Sequence, residues 1–222
     1  MNVQGSSTPS IGFKGALDRL IGPGATPVEV WLQLLPAIAA AIAATAYAVS
    51  LPTAWTGWQL GLIAFLGFDL AGGVITNATS SAKRWYYRPG QGWKQHLTFV
   101  ATHLVHVGLV ALFLRNGDWL FFCVVSGYLM TAASMIVSVP LYLQRPVALG
   151  LYSLALIGDR YIAVPTVGLE WFLSVFFLKL LISHLLQETP YHPLDSHLDS
   201  ASELQANKGK ELDPCAITPS KH

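Results

Sequence analysis

Long apolar stretches separated by short polar connectors dominate the first 186 residues of the chain. A segment of about 20 apolar residues can cross the roughly 30 Å hydrocarbon core of a bilayer as an α-helix. Lipid offers no hydrogen-bond partners to the backbone, so helices are expected for such segments. The pattern predicts an all-α, polytopic integral membrane protein, a bundle of about six transmembrane helices at residues 30–51, 58–80, 95–114, 119–143, 146–162 and 166–186.

The two ends of the chain differ from this apolar middle. Residues 1–29 contain glycine, serine, proline and scattered charges, which predicts a cytoplasmic or interfacial N-terminal segment. Residues 187–222 are polar and more acidic than basic, which predicts a disordered cytoplasmic tail. We therefore expect three parts: the N-terminal segment 1–29, a six-helix transmembrane domain at 30–186, and the tail 187–222.

The connector at residues 83–94 gives the strongest indication of orientation, because it carries four basic residues and no acidic one. Lysine and arginine accumulate in the cytoplasmic loops of membrane proteins. This loop is therefore predicted to be cytoplasmic. An even number of crossings would then leave both termini in the cytoplasm.

Composition supports a membrane protein and argues against nucleic acid as a partner. The chain is 53% hydrophobic and only 11% charged, with a formal net charge of +1, whereas soluble proteins carry roughly 25% charged residues. No basic excess points to nucleic acid. Cys123 lies in an apolar segment and Cys215 in the polar tail, so neither a disulfide nor a cysteine-based metal site is expected.

Ionisable side chains inside the second and third apolar segments form a candidate site, because such groups are costly at membrane depth. Asp69 and Asn77 lie in the second segment, and His96, His103 and His106 lie along one stripe of the third. A short loop joins the two segments, which predicts antiparallel packing. Matching depths from that loop places Asp69 beside His106 and Asn77 near His96.

Two kinds of chemistry suit these residues. Asp69, His103 and His106 offer ligands of the type that bind Zn²⁺ or Fe²⁺. Without a metal, Asp69 could act as a general acid or base with His103 or His106 as its proton partner. Either chemistry predicts an intramembrane hydrolase, isomerase or cyclase acting on a lipophilic substrate, either a lipid or an isoprenoid-like molecule, that enters from the bilayer.

Four further residues are candidates for binding that substrate. Asn77 and His96 are predicted to line the cytoplasmic approach to the site, with Trp85 and Tyr86 at its mouth. Aromatic side chains at this depth also serve as anchors at the membrane surface.

Two other classes stay open. Asp69, His103 and His106 could relay protons or bind an ion in a coupled transporter, or an Asp–His contact could simply fasten two helices of a scaffold. The short chain and the lack of a clear inverted repeat count against a transporter, although a homodimer would remedy both. In the last helix, Lys179 is predicted to snorkel away from the site. His184 is predicted to be a solvated end residue, with membership of the cytoplasmic end of the site as the alternative.

Overall fold

A computed structural model of the chain describes Gly15 and residues 21–161 and 164–188. Most of the predicted N-terminal segment and nearly all of the predicted tail lie outside these residues. All regular elements in the described ranges are helical: α1 (Pro27–Ser50), α2 (Gly57–Ala78), α3 (Ser80–Tyr86), α4 (Trp93–Thr102), α5 (Leu104–Leu109), the π-helical π1 (Val110–Leu114), α6 (Trp119–Ser138), α7 (Leu141–Tyr161), α8 (Phe172–Phe177) and the π-helical π2 (Leu178–His184).

Four helical stretches are long and apolar enough to span a membrane: α1, α2, the continuous run Trp93–Leu114, and α6. The last stretch, Phe172–His184, is apolar but shorter. The helix α7 has 21 residues and carries charged residues near both of its ends. The all-helical fold and a membrane class for the protein therefore agree with the pattern of the sequence.

Side chains that bond to the backbone fix the starts of the first helices. Thr26 and Glu29 form a capping box, in which Glu29 N donates to Thr26 Oγ1 (3.2 Å) and Thr26 N donates to Glu29 Oε2 (2.8 Å). Such a box satisfies two backbone donors that a helix start leaves without partners. Thr56 N similarly donates to Gln59 Oε1 (3.0 Å) at the start of α2.

The predicted boundary between the fourth and fifth helices is wrong. The sequence placed it between residues 143 and 146, but α6 ends at Ser138 and α7 begins at Leu141, with Pro146 inside it. The break falls at Val139, whose backbone is extended (φ −88°, ψ 153°). Proline disfavours the helical conformation of the residue before it, so Pro140 and not Pro146 ends the helix.

The third predicted helix is also not uniform. It breaks at His103, where α4 gives way to α5, and its final turn widens into π1. At the break the backbone N–H of His103 donates to Val100 O, and that of His106 donates to His103 O, both at 3.0 Å. These bonds span three residues where an α-helix spans four, so the chain is locally wound as a 3₁₀ turn.

The last helix lies in the middle of the bundle. From Trp171 to Leu186 every residue is buried or half-buried, including the fully enclosed Phe172 and Phe176. A helix that is covered all round has no lipid-facing side. The first two helices, α1 and α2, also pack closely against each other. Gly67 and Gly72 of α2 face the small residues Ala37, Ala40 and Ala44 of α1, which lets the two backbones approach.

Candidate functional site

The polar centre of the bundle is Asp69, in the middle of α2. Its Oδ2 atom accepts a hydrogen bond from Lys179 Nζ (2.6 Å) and lies 2.9 Å from His106 Nε2. Lys179 Nζ also donates to the backbone oxygen of Asp69 (3.2 Å). The predicted contact between Asp69 and His106 is confirmed, whereas the chemical roles assigned to these residues stay predictions.

The three side chains differ in how accessible they are. The side chains of His106 and Lys179 are 9% and 4% exposed, but that of Asp69 is 32% exposed. Phe65 and Phe68, which precede Asp69 on α2, are exposed apolar residues of the same helix. The carboxylate is therefore held by two buried nitrogen groups, while about a third of the Asp69 side chain stays exposed.

Lys179 was misjudged from the sequence. It was predicted to snorkel on the far side of the last helix, but it is buried and bonded to Asp69. The error has a clear origin, because the last helix is enclosed and has no lipid-facing side for a lysine to follow. Gly73 makes room for the lysine side chain, since a methyl group at that position would overlap its end. A lysine amid apolar residues was itself a signal, because a buried ammonium needs a counter-ion.

His103 has a fixed hydrogen-bonding state that follows from the 3₁₀ turn. Because the backbone N–H of His103 bonds to Val100 O, the oxygen of Phe99 is left for side-chain donors. It accepts from Thr102 Oγ1 (2.7 Å) and from His103 Nδ1 (2.8 Å). A carbonyl can only accept, so Nδ1 carries the proton and the lone pair of neutral His103 is on Nε2.

Aromatic rings connect Asp69 to the other end of the third helix. The imidazole of His106 stacks on that of His103 (centroids 5.2 Å apart), and His103 packs on Phe99 (4.6 Å). The Phe99 ring in turn stacks on His184 (3.8 Å). His184 Nε2 lies 3.3 Å from His96 Nδ1, within hydrogen-bonding distance. We call these four histidines, with Phe99 among them, the imidazole row.

His184 follows the alternative prediction, in which it joins the basic end of the candidate site, and not the favoured one. It was predicted to be a solvated residue at the helix end, but it is 2% exposed. The backbone around it is held by two side chains of the 83–94 region: Tyr87 Oη donates to His184 O (2.9 Å), and Lys83 Nζ donates to Ser183 O (2.7 Å) and to Leu186 O. Lys83 and Tyr87 thus satisfy carbonyls that the end of π2 leaves open.

The four predicted substrate-binding residues separate into two groups. His96 belongs to the imidazole row, and Tyr86 packs edge-on against Phe99 and His184 (5.3 and 5.2 Å). Trp85 instead lies beneath the guanidinium of Arg88, with the Arg88 Cζ atom 3.6 Å from the ring centroid. Asn77 is buried, and its Nδ2 has no hydrogen-bond partner within the described part of the chain.

The predicted metal ligands do not assemble as a ligand set. Among residues 21–161 and 164–188, no group of three or more His, Cys, Asp or Glu side chains is arranged to hold a metal ion. Asp69 and His106 are in contact, but Asp69 also bonds to Lys179, and His103 stacks on His106 ring to ring. The geometry therefore gives the Zn²⁺ or Fe²⁺ hypothesis no support.

Two surface pockets lie at the opposite end of the bundle, away from the basic loop. Their volumes are about 330 and 460 Å³, and Arg115, Val164, Pro165 and Thr166 line both. Asp69, His103 and His106 line neither of them. Arg115 is fully engaged there, bonding to Asp118 and to the two residues Val164 and Thr166.

Comparisons of the chain with protein-family models, with characterised proteins and with solved structures found no match. The fold and the site define an all-helical protein with four helices suited to crossing a membrane and a half-buried Asp–His–Lys centre.

Proposed function

We propose that this chain is an intramembrane enzyme that uses acid–base chemistry on a lipophilic substrate, a lipid or an isoprenoid-like molecule. One observation carries the proposal: the carboxylate of Asp69 is positioned by two buried nitrogen groups, yet about a third of the Asp69 side chain is exposed, on a helix that also exposes Phe65 and Phe68. A group that only fastened helices would gain nothing from this opening, because a carboxylate facing lipid is costly. A substrate arriving from the bilayer would reach Asp69 there.

In this proposal Asp69 exchanges a proton with the substrate, and His106 is its proton partner because its Nε2 lies 2.9 Å from Oδ2. His103 is the reserve base, since its Nε2 carries the free lone pair. Lys179 positions the carboxylate through its two bonds to Asp69. A positioned acid or base of this kind contributes roughly 10²- to 10⁴-fold to a rate.

We further propose that the chain crosses the membrane six times with the 83–94 loop in the cytoplasm. Contacts at the two ends of the bundle support the alternation. At the basic end Glu29 accepts from Ser81, and Lys83 reaches Ser183. At the other end Gln59 reaches Phe113. The shorter stretch Phe172–His184 would make the sixth crossing within the shelter of the other helices, assisted by the residues that precede it.

Proton- or ion-coupled transport is the second candidate. The observation in its favour is that one carboxylate is shared by an ammonium and an imidazole, Lys179 and His106. Such a carboxylate could release one partner in exchange for a bound cation or proton.

The test is turnover of a membrane lipid extract by the purified protein in detergent, followed by mass spectrometry. We expect Asp69→Asn to lower turnover by about 10²-fold or more. Asp118→Asn is the matched control, because it removes a carboxylate at the far end of the bundle and should retain activity. Activity that appears only as flux across sealed vesicles would favour the transporter, and undiminished turnover by Asp69→Asn would contradict the proposal.

A further inference from the structure

We infer that the imidazole row is a proton path that connects Asp69 with the aqueous phase at the basic end of the bundle. The inference rests on the proposed acid–base role of Asp69, which needs a proton supply that hydrocarbon does not provide. It assigns a role to His184 and His96, neither of which touches Asp69.

The first argument is continuity. The rings run without interruption from His106, beside Asp69, through His103 and Phe99 to His184 and His96. His96 then stacks on the half-buried ring of Tyr87 (centroids 4.4 Å apart), next to the basic loop. All five rings of the row come from two helical stretches, Trp93–Leu114 and Phe172–His184.

The second argument concerns nitrogen atoms that lack partners. Both ring nitrogens of His106 and the Nδ1 atom of His184 are buried and form no hydrogen bond among the residues that the structure describes. Buried polar atoms are nearly always bonded, and ordered water commonly satisfies those that protein does not reach. His106 Nε2 nevertheless lies 2.9 Å from Asp69 Oδ2, and His184 Nε2 lies 3.3 Å from His96 Nδ1. His106 and His184 therefore each have one nitrogen beside a neighbour in the path and a second nitrogen that is open to proton exchange.

The proton balance follows from these atoms. His96 takes a proton from water at Nε2 and releases the Nδ1 proton to His184 Nε2, and His184 releases its proton from Nδ1. His103 both accepts the proton and releases it at Nε2, because its Nδ1 proton is hydrogen-bonded to Phe99 O. His106 accepts at Nδ1 and passes its Nε2 proton to Asp69 Oδ2, so one proton leaves water and one carboxylate becomes a carboxylic acid. Because Phe99 cannot carry a proton, the proposed transfer from His184 Nδ1 to His103 Nε2 requires a bridging water.

The experiment measures exchange of the His106 ring N–H with D₂O, by NMR of histidine-labelled protein in lipid nanodiscs. His184→Phe and His96→Phe keep a flat ring in the stack and remove both nitrogens. We expect each to slow the exchange by about tenfold or more. Tyr128→Phe, which removes a hydroxyl bonded to Leu151 O outside the row, is the control and should exchange like the wild type.

The inference fails if neither histidine variant slows the exchange. The readout does not depend on turnover, so the path and the enzymatic proposal can fail separately. Slowed exchange together with an inactive wild type would retain the path and reject the enzyme. If the histidine variants exchange as fast as the wild type while turnover still depends on Asp69, the enzymatic proposal is retained and the proton path is rejected.

Discussion

The side chain of Lys179 lies directly against the backbone of Gly73, and this contact lets the Lys179 ammonium reach Asp69 one turn earlier on α2. Any side chain at position 73 would occupy the space of the lysine. The pair therefore links the packing of the central helix to the geometry of the candidate site.

Gly73→Ala should displace the Lys179 ammonium from Asp69. Overpacking of this kind typically costs about 1–3 kcal/mol in the free energy of unfolding, and the turnover that depends on Asp69 should fall with it. The measurement is denaturation in detergent together with the lipid-extract assay. Gly61→Ala is the control, because a methyl group there would meet no described neighbour within 4 Å. Equal stability and activity in the two variants would contradict the proposed contact.

Lys179 and Asp69 should be strongly coupled in a double-mutant cycle. Lys179→Met leaves Asp69 without its ammonium partner, and breaking a buried ion pair typically costs about 3 kcal/mol. Asp69→Leu leaves the buried ammonium unpaired at a similar cost. The double variant Lys179→Met/Asp69→Leu should lose less than the sum of the two, with a coupling of about 1–3 kcal/mol in unfolding experiments in detergent.

Additive losses in that cycle would mean that the two charged groups do not stabilise each other. The cycle should be repeated with Arg145 and Glu188, whose side chains meet at 3.3 Å but are largely exposed. Exposed pairs contribute little, about 0–1 kcal/mol. The coupling energy of Arg145 and Glu188 is therefore the reference value for an exposed ion pair, and that of Lys179 and Asp69 should exceed it.

The contact between Asp69 and His106 could be predicted from the sequence because two regularities determine it. The helical repeat fixes which residues share a face, and a short loop fixes the relative depth of two antiparallel helices. Neither regularity indicates whether a helix has a lipid-facing side. The enclosure of the last helix depends on the packing of all the others, so the roles of Lys179 and His184 could not be read from periodicity.

Local irregularities limited the prediction in a second way. The break at His103 and the widened turns of π1 and π2 rotate the following residues away from the faces that a uniform helix would give them. The sequence carries no proline or glycine at His103 to mark this break. By contrast, Pro140 did mark the end of α6, and the neighbouring Pro146 drew the predicted boundary away from it.

Asp118 should stabilise the start of α6 through two separate interactions. Its Oδ1 accepts from Phe121 N (2.9 Å) and its Oδ2 pairs with Arg115 (2.7 Å). Asp118→Ala should lower the free energy of unfolding by about 1 kcal/mol, the usual value of a helix cap. Asp118→Asn retains the capping oxygen and should lose less. Thermal denaturation in detergent would test this order, and equal losses would show that the ion pair rather than the cap matters.

The hydrogen bond from Phe121 N and the Arg115 guanidinium also hold the pKa of Asp118 below its ordinary value. A lowered folded-state pKa stabilises the protein above the ordinary pKa, and this contribution is lost as the pH falls through the folded value. The difference between wild type and Asp118→Ala should therefore be constant near neutral pH and shrink in strong acid.

Lys83 gives the chain a pH dependence of the same sign as Asp118 does, but at alkaline instead of acid pH. Burial lowers the pKa of its ammonium to about 8, although the nearby Glu188 partly opposes this shift. A neutral amine retains two N–H groups, enough for the two carbonyls of Ser183 and Leu186 that Lys83 caps. Deprotonation therefore removes the cost of a buried charge without removing a hydrogen bond.

Stability should rise between about pH 8 and pH 10, because there the unfolded chain binds a proton at Lys83 that the folded chain has released. The gain is at most about 3 kcal/mol, from 1.36 kcal/mol per pKa unit. Above pH 10 stability should fall again. Burial raises the pKa of Tyr87, so the unfolded chain releases the phenol proton at a lower pH than the folded chain does. Thermal denaturation measured as a function of pH would show both the rise and the fall in stability. If the rise persists in Lys83→Met, a group other than Lys83 causes it.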